Sequence, residues 1–305
     1  MTKENTNKSH DHNRRKFLVT MSMALGSGAL LAKPRNPNGA SAIGALTVGQ
    51  VMDMFIKEVP GAPFEKTVDT LKAGSRDTVI TGIVTTMFPT LAVIQKTISL
   101  GANFIIVHEP SFYNHQDDTA WLTGSDVYQY KADLLKKNNI AIWRNHDYIH
   151  SLQEDGVRAG VLAQLGWTSN YKPGESVVQL SSIKLDALVN HVKDRLGVPA
   201  LRYEGDLSQS CSKILLMPGA AGGRRQIENL IRTKPDVLIC GEVSEWETPE
   251  YVRDAIGKGD KLALIVIGHS ASEEAGSEFM ANWLKGKISG IPVTHIESYN
   301  SLKVL

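Results

Sequence analysis

The chain has 305 residues, 42% hydrophobic and 21% charged, enough to bury a large core and too apolar for a disordered polyelectrolyte. Lys and Arg total 33 against 32 Asp and Glu, a formal +1 that excludes a globally basic nucleic-acid binder. Two cysteines exclude a disulfide-dense scaffold and a four-thiolate zinc site, and no apolar run reaches the ~18 residues of a membrane span.

Residues 1–42 stand apart. A polar start leads to Asn13-Arg14-Arg15-Lys16-Phe17-Leu18, a mild apolar run to Ala32, and the small-residue stretch Ala40-Ser41-Ala42. This layout predicts a twin-arginine signal peptide over 1–42, and hence a periplasmic or otherwise exported protein with no stable membrane insertion after cleavage. The alternative is a basic tail before a short helix. Seven basic and two acidic residues fall in 1–42, so 43–305 carries 26 against 30, a formal −4. A mildly acidic chain has no general attraction for nucleic acid. Cys211 and Cys240 each border an apolar run, and either pair or remain buried thiols.

Beyond the leader, β-branched runs alternate with amphipathic stretches. The pattern predicts strands at Thr78–Thr85, Asn103–Val107, Ile140–Arg144, Lys213–Met217, Asp236–Cys240, Lys261–Ile267 and Pro292–Ile296. Between them it predicts helices at Thr90–Leu100, Asp126–Asn138, Glu154–Leu165, Lys184–Leu196, Arg225–Arg232, Thr248–Gly257 and Glu273–Lys285. That alternation implies an α/β fold with mixed sheets. The Pro/Gly-marked segment Tyr171-Lys172-Pro173-Gly174 separates an N-terminal α/β part, 43–166, from a C-terminal α/β part, 167–305; the pattern alone fits either two domains or one continuous sheet.

Histidines fall at strand ends. His108 closes NFIIVHEP, His146 and His150 follow IAIWRNHDYIH, and His269 closes LALIVIGHSASE. Open α/β sheets bind ligands at the carboxyl ends of their strands. Glu109 adjoins His108. His146 and His150 are four residues apart, as are His269 and Glu273, so each pair shares a face if its segment is helical. Imidazole with carboxylate suits zinc, iron, manganese or nickel rather than calcium or magnesium. So many donors exceed what one tetrahedral ion takes, which points to two divalent transition-metal ions. His146 and His115, the latter in the polar loop after the first cluster, are the acid/base candidates. His191 reads as solvent-facing on an amphipathic helix, and His295 as structural. Met217–Gly223 is a Gly-rich turn that either holds an anion or is a tight structural turn; it lacks the P-loop signature. Glu242 or Glu245 can reach a ligand from behind, or pair at the surface.

In this order, GANFIIVHEP (101–110), the Gly-rich turn, DVLICGEVSEWE (236–247) and IGHSASE (267–273) resemble the Nif-three-like dinuclear-metal-centre proteins, known as type 2 homologues of GTP cyclohydrolase I. The resemblance implies two related α/β domains with a metal pair between them, and a homo-oligomer, a hexameric ring. It implies five ligands, matched here by His108, Glu109, His150, His269 and Glu273. Glu109 stands where relatives carry a second His, and His150 where they carry Asp. One imidazole and one carboxylate have traded places, so the ligand charge stays at −2. Two functional expectations follow. One is a metal-dependent hydrolase acting on a small molecule of unknown identity. The other is a non-enzymatic metal-binding scaffold or a regulatory or metal-handling protein.

Overall fold

The computed structural model describes residues 46–304. The twin-arginine expectation falls outside them. The first part runs α1 (Val48–Ile56), β1 (Leu71–Ala73), β2 (Ile83–Thr86), α2 (Leu91–Ser99), β3 (Phe104–Val107), α3 (Asp126–Lys137), β4 (Ala141–Arg144), α4 (Asp147–His150) and α5 (Gly156–Leu165). The second runs β5 (Val177–Lys184), α6 (Leu185–Leu196), β6 (Arg202–Glu204), β7 (Ser210–Met217), α7 (Gly223–Thr233), β8 (Val237–Cys240), α8 (Thr248–Gly257), β9 (Ala263–Val266), α9 (His269–Lys287) and β10 (Val293–His295).

Two mixed five-stranded sheets result. The first has the order β1-β4-β3-β2-β10, parallel except for β1; the second has the order β5-β7-β8-β9-β6, with both edge strands antiparallel. The expected α/β class with two mixed sheets is what the chain forms. The central strands are buried on both faces, which is why they read as unbroken apolar runs. Phe104 and Ile106 of β3 pack with α1 residues such as Val51 and Phe55, while Ile105 and Val107 point to the opposite core with Val93 and Leu135. Each fully covered Leu or Ile contributes about 1.5–3 kcal/mol by leaving water.

The first sheet takes its fifth strand from the far end of the chain, with Val293 pairing Ile83. The path there is α9. Ala275 of α9 belongs to the second sheet's core, whereas Met280 and Leu284 belong to the first's. Alpha-5 crosses α9 at small residues: a Cβ on Gly160 would strike the Ala275 backbone, and one on Gly276 would strike Val157. This close crossing locks the two sheets around one helix, and the first turn of that helix carries His269 and Glu273.

Several expected bounds are corrected. The strand expected at 78–85 is shorter and later, beginning at Ile83, because Val79 bridges Thr47 instead. Alpha-9 begins at His269 rather than Glu273 because Gly268, at φ 102°, turns the strand end directly into the helix. Pattern reading placed no element at α1, β1, β5 or β6. His191 does not face solvent freely: its ring stacks on Trp167 at 5.5 Å, and its Nε2 lies 2.9 Å from the Leu165 carbonyl. Cys211 and Cys240 are buried free thiols.

Candidate metal centre

The carboxyl ends of β3, β4 and β9 face one point, each delivering the side chains that follow it. His108 and Glu109 come directly after β3, His146 and His150 bracket the short α4, and His269 and Glu273 open α9. Glu273 Oε2 lies 3.1 Å from His269 Nε2 and 3.4 Å from His108 Nε2. Glu109 Oε1 lies 3.1 Å from His269 Nε2 and 3.8 Å from His146 Nε2. The His108 ring stacks on His146 at 4.8 Å and meets His150 edge-on at 5.0 Å. All five residues matched to the family's ligands are therefore together, and His146 is among them. His115 stands at the rim: it is exposed, its ring 5.8 Å from that of His146. His295 lies outside, with its Nδ1 3.2 Å from the Thr85 carbonyl.

The backing of the imidazoles is systematic. Nδ1 of His108 faces the Asn145 carbonyl at 3.3 Å, that of His146 faces Asp147 at 2.9 Å, that of His150 faces Asp155 at 3.0 Å, and that of His269 faces Glu242 at 2.8 Å. An acceptor at Nδ1 fixes the proton there and leaves the Nε2 lone pair free. The Nε2 atoms of His108, His146 and His269 then lie 3.1–3.8 Å from Glu109 or Glu273, and the His150 ring sits edge-on to those of His108 and His146 at 5.0 Å. This is the arrangement that metal-binding imidazoles adopt. Glu242 thus reaches the cluster from behind, while Glu245 pairs with Arg202 at the surface.

The backing acids are themselves braced. Asp147 accepts from the Thr67 hydroxyl and the Val68 N–H. Asp69 accepts the N–H groups of His146 and Tyr148 and so pins the turn between them. Asp155 does two jobs: one oxygen caps α5 by accepting from Val157 and Arg158 N–H, and the other holds His150. Gly219 packs against Glu273; at φ 68° it is a position glycine suits, and a Cβ there would meet the carboxylate. Its N–H is engaged by Ser272 Oγ, so in this part the Gly-rich turn is a packing device.

Electrostatics mark the same point. Burial opposes charge on His269, yet Glu109 and Glu273 outweigh it and push its pKa up to about 10. Burial likewise opposes charge on His108, and Glu273 and Glu109 again hold it above the ordinary value. Burial, helped by neighbouring His108, drives His146 down to about 4. Burial works against ionised Glu273, but His108 and His269 hold it well below the usual carboxylate range. Protons gather where the negative potential is greatest, and a divalent cation would be drawn to the same place. His108 Nε2 is moreover buried without a hydrogen bond. A ring nitrogen buried beside a carboxylate at 3.4 Å without a hydrogen bond is poorly satisfied as it stands and well placed to be a ligand. Two groups of donors lie within 4.8 Å of one another, His108 with His146 and His150, and His108 with Glu109 and Glu273. The residues present fit a transition-metal site.

An α/β protein with two mixed sheets and a histidine–carboxylate centre at converging strand ends is the class this geometry defines. The chain belongs to the Duf34/NIF3 (NGG1p interacting factor 3) family, whose pattern it matches over residues 48–301. It is 27% identical over 214 residues to a "GTP cyclohydrolase 1 type 2 homolog" of Clostridium perfringens, covering 67% of this chain and 77% of that one. To the protein of the same name from Escherichia coli K12 it is 26% identical over 224 residues, covering 72% and 84%. The crystal structure of Staphylococcus aureus protein SA1388 superposes with a TM-score of 0.67 at 17% identity, covering 86% of this chain and all of that one. A Bacillus cereus protein related to NIF3 gives 0.67 at 14% identity, covering 85% and 98%.

The dual use of Asp155 yields a separable prediction. Asp155→Asn keeps an oxygen for the α5 cap but sets an amide donor against His150 Nδ1–H. Metal affinity should fall about 10–100-fold while the melting temperature of the metal-free chain barely moves. Competition with a chelator of known affinity measures the first, and calorimetry the second. Unchanged affinity would show that His150 takes no part in holding metal.

Proposed function

We propose that the chain is a metal-dependent hydrolase of a small molecule, built around two divalent transition-metal ions such as zinc, iron, manganese or nickel. The observation that carries this is the convergence of the His108, His146 and His269 Nε2 atoms on Glu109 and Glu273, with His150 grouped beside His108 and His146 and all four rings backed at Nδ1. His108, His146 and His150 would form one ligand group, and His108, Glu109 and Glu273 the other, with His269 touching both carboxylates. Ions held there would supply Lewis acidity, making water nucleophilic at neutral pH and polarising the oxygen of an ester or amide.

The chain's own residues do the rest. The cluster opens on a cleft of about 1490 Å³ whose wall includes Glu109, His146, His150, His269 and Glu273. A purely structural site would be enclosed by its ligands; one that faces a cleft leaves room for a reactant. His115 lines the same cleft outside the cluster, where its ring can take up or return a proton. Arg144, whose Nη2 lies 3.2 Å from Glu109, fixes these positions together with Asp69 and Asp155 before anything binds.

Chelation followed by reconstitution with each of the four metals tests this, on a panel of phosphoester and amide substrates. Turnover should disappear with the metal and return with at least one of them. Turnover indifferent to chelation would overturn the proposal.

A further inference from the structure

We infer that the part of the cleft lined by α7 is a subsite for an organic phosphate carrying two separated phosphate groups. The inference rests on the hydrolase reading for the fate of the ligand, but not for its binding.

The cleft is cationic in a chain that is otherwise mildly acidic. Lys66, Arg158, Lys172, Lys213, Arg225 and Arg232 all line it. Four of its five carboxylates, Glu109, Asp147, Asp155 and Glu273, are held by imidazoles, which leaves Glu175. None of the six cations forms a salt bridge among the described residues. Elsewhere most arginines are matched, Arg76 with Asp53, Arg202 with Glu245 and Arg253 with Glu250, while Arg195 bonds the Gln164 carbonyl.

Alpha-7 shows the contrast on one helix. Arg224 turns away from the cleft and pairs with Glu228 at 2.9 Å. Arg225, its neighbour, lines the cleft with no carboxylate partner. Arg225, Asn229 and Arg232 are spaced four and three residues apart, so they share the cleft-facing side. The helix does not account for this row. Arg232 bonds Asn229, and Lys213 bonds the Thr233 carbonyl; both sit at the negative end of the helix dipole, where cations are favoured. Arg225 sits in the first turn, where the dipole disfavours a cation. An unpaired arginine at the wrong end of a helix, facing a cavity, is explained by an anion that comes from outside.

The spacing and the side-chain type set the class. Arg232 lies seven positions after Arg225, about 10 Å along the helix, which gives the two guanidinium groups room to hold separate phosphates. Planar guanidinium groups favour phosphate and carboxylate oxygens in paired contacts. The volume of about 1490 Å³ exceeds the roughly 300–1,000 Å³ of ordinary small-molecule sites, which leaves room for an extended ligand. One phosphate at Arg225 and another near Arg232 and Lys213 fits both facts.

Fructose 1,6-bisphosphate is a suitable probe, a weak metal chelator with phosphates at its two ends. Titration calorimetry on the intact chain in low salt should show saturable binding that weakens as salt rises. The Arg225→Ala/Arg232→Ala variant should bind at least about tenfold more weakly per arginine removed. Arg224→Ala should bind as wild type. No saturable binding, or equal binding by the double variant, overturns the subsite, as does binding that depends only on the metals. The two proposals fail separately. Binding lost in the double variant of a chain that hydrolyses nothing keeps the subsite and removes the hydrolase. Ester hydrolysis with unaltered KM and binding in that variant does the reverse.

Discussion

Glu273→Ala is expected to abolish high-affinity metal binding and any hydrolysis that depends on it. Glu273 is buried, with one carboxylate oxygen close to both His108 and His269, and it belongs to the group formed with His108 and Glu109. Removing a group that only backs a ligand already costs about 10–100-fold in affinity, so losing this carboxylate should cost more than ~100-fold. Two consequences distinguish the loss of a ligand from a loss of fold. Metal content after exhaustive dialysis should fall sharply, and the melting temperature should no longer rise when metal is added. Glu273→Gln keeps the shape pressed by Gly219 but not the charge, and should bind metal nearly as poorly. If either variant retains wild-type metal content, the carboxylate is part of the packing and not of a metal site.

The site was legible in the sequence to the extent that it is made by strand ends. Apolar runs buried on both faces end abruptly, so His108, His146 and His269 could each be placed at the carboxyl end of a strand before any coordinates, although the strands belong to two different sheets. The pairing of His269 with Glu273 needed a helix between them, and Gly268 supplies one by turning from β9 straight into α9. What was not legible is what holds the ligands in place. Asp69 lies 77 residues from the His146 N–H it accepts, and Arg144 lies 35 residues from Glu109. No local periodicity reports such contacts. Asp155 was hidden differently, since its capping role is readable and its grip on His150 is not. The same limit applies to the fold. Beta-5 and β6 are short of buried faces, with several exposed residues each, and β10 joins a sheet begun more than 200 residues earlier. His191 reads as a surface residue because its helix is amphipathic, while the Trp167 that covers it belongs to another segment.

The exchange of residue types that the family resemblance implies at Glu109 and His150 has a physical counterpart in the environment of each. A carboxylate at 109 has two oxygens to satisfy in a buried place. Oε1 faces His269 and His146, and Oε2 lies 3.2 Å from Arg144 Nη2. An imidazole at 150 needs a proton acceptor behind it, and Asp155 supplies one. Each of the two residues thus has a partner of the charge it requires, so the five matched residues present three imidazoles and two carboxylates as the resemblance leads one to expect.

Arg144→Met should be among the most damaging single changes in the chain. The side chain is fully buried. Its Nε lies 3.2 Å from the His108 carbonyl, Nη1 lies 2.5 Å from the His115 carbonyl, and Nη2 meets Glu109. Nη1 is also 3.7 Å from Asp117, whose other oxygen accepts the Ser111 and Phe112 N–H groups. One guanidinium therefore ties the ends of the 108–117 loop together and balances two buried acids. Methionine fills most of the volume but leaves those acids with Lys72 and the imidazoles alone. Breaking a buried ion pair from one side costs about 3–5 kcal/mol. For a chain of this size that corresponds to a fall in melting temperature of roughly 10 °C. Metal affinity should fall with it, because Glu109 loses the contact that aims its free oxygen. Arg144→Lys retains a charge without the planar fork and should lie between the two. A thermal melt of the three metal-free proteins checks the ranking, and chelator competition checks the coupling to the site. A methionine variant as stable as wild type would mean that the two acids are satisfied without the arginine. Its role would then reduce to orienting Glu109, which the metal affinity alone would report.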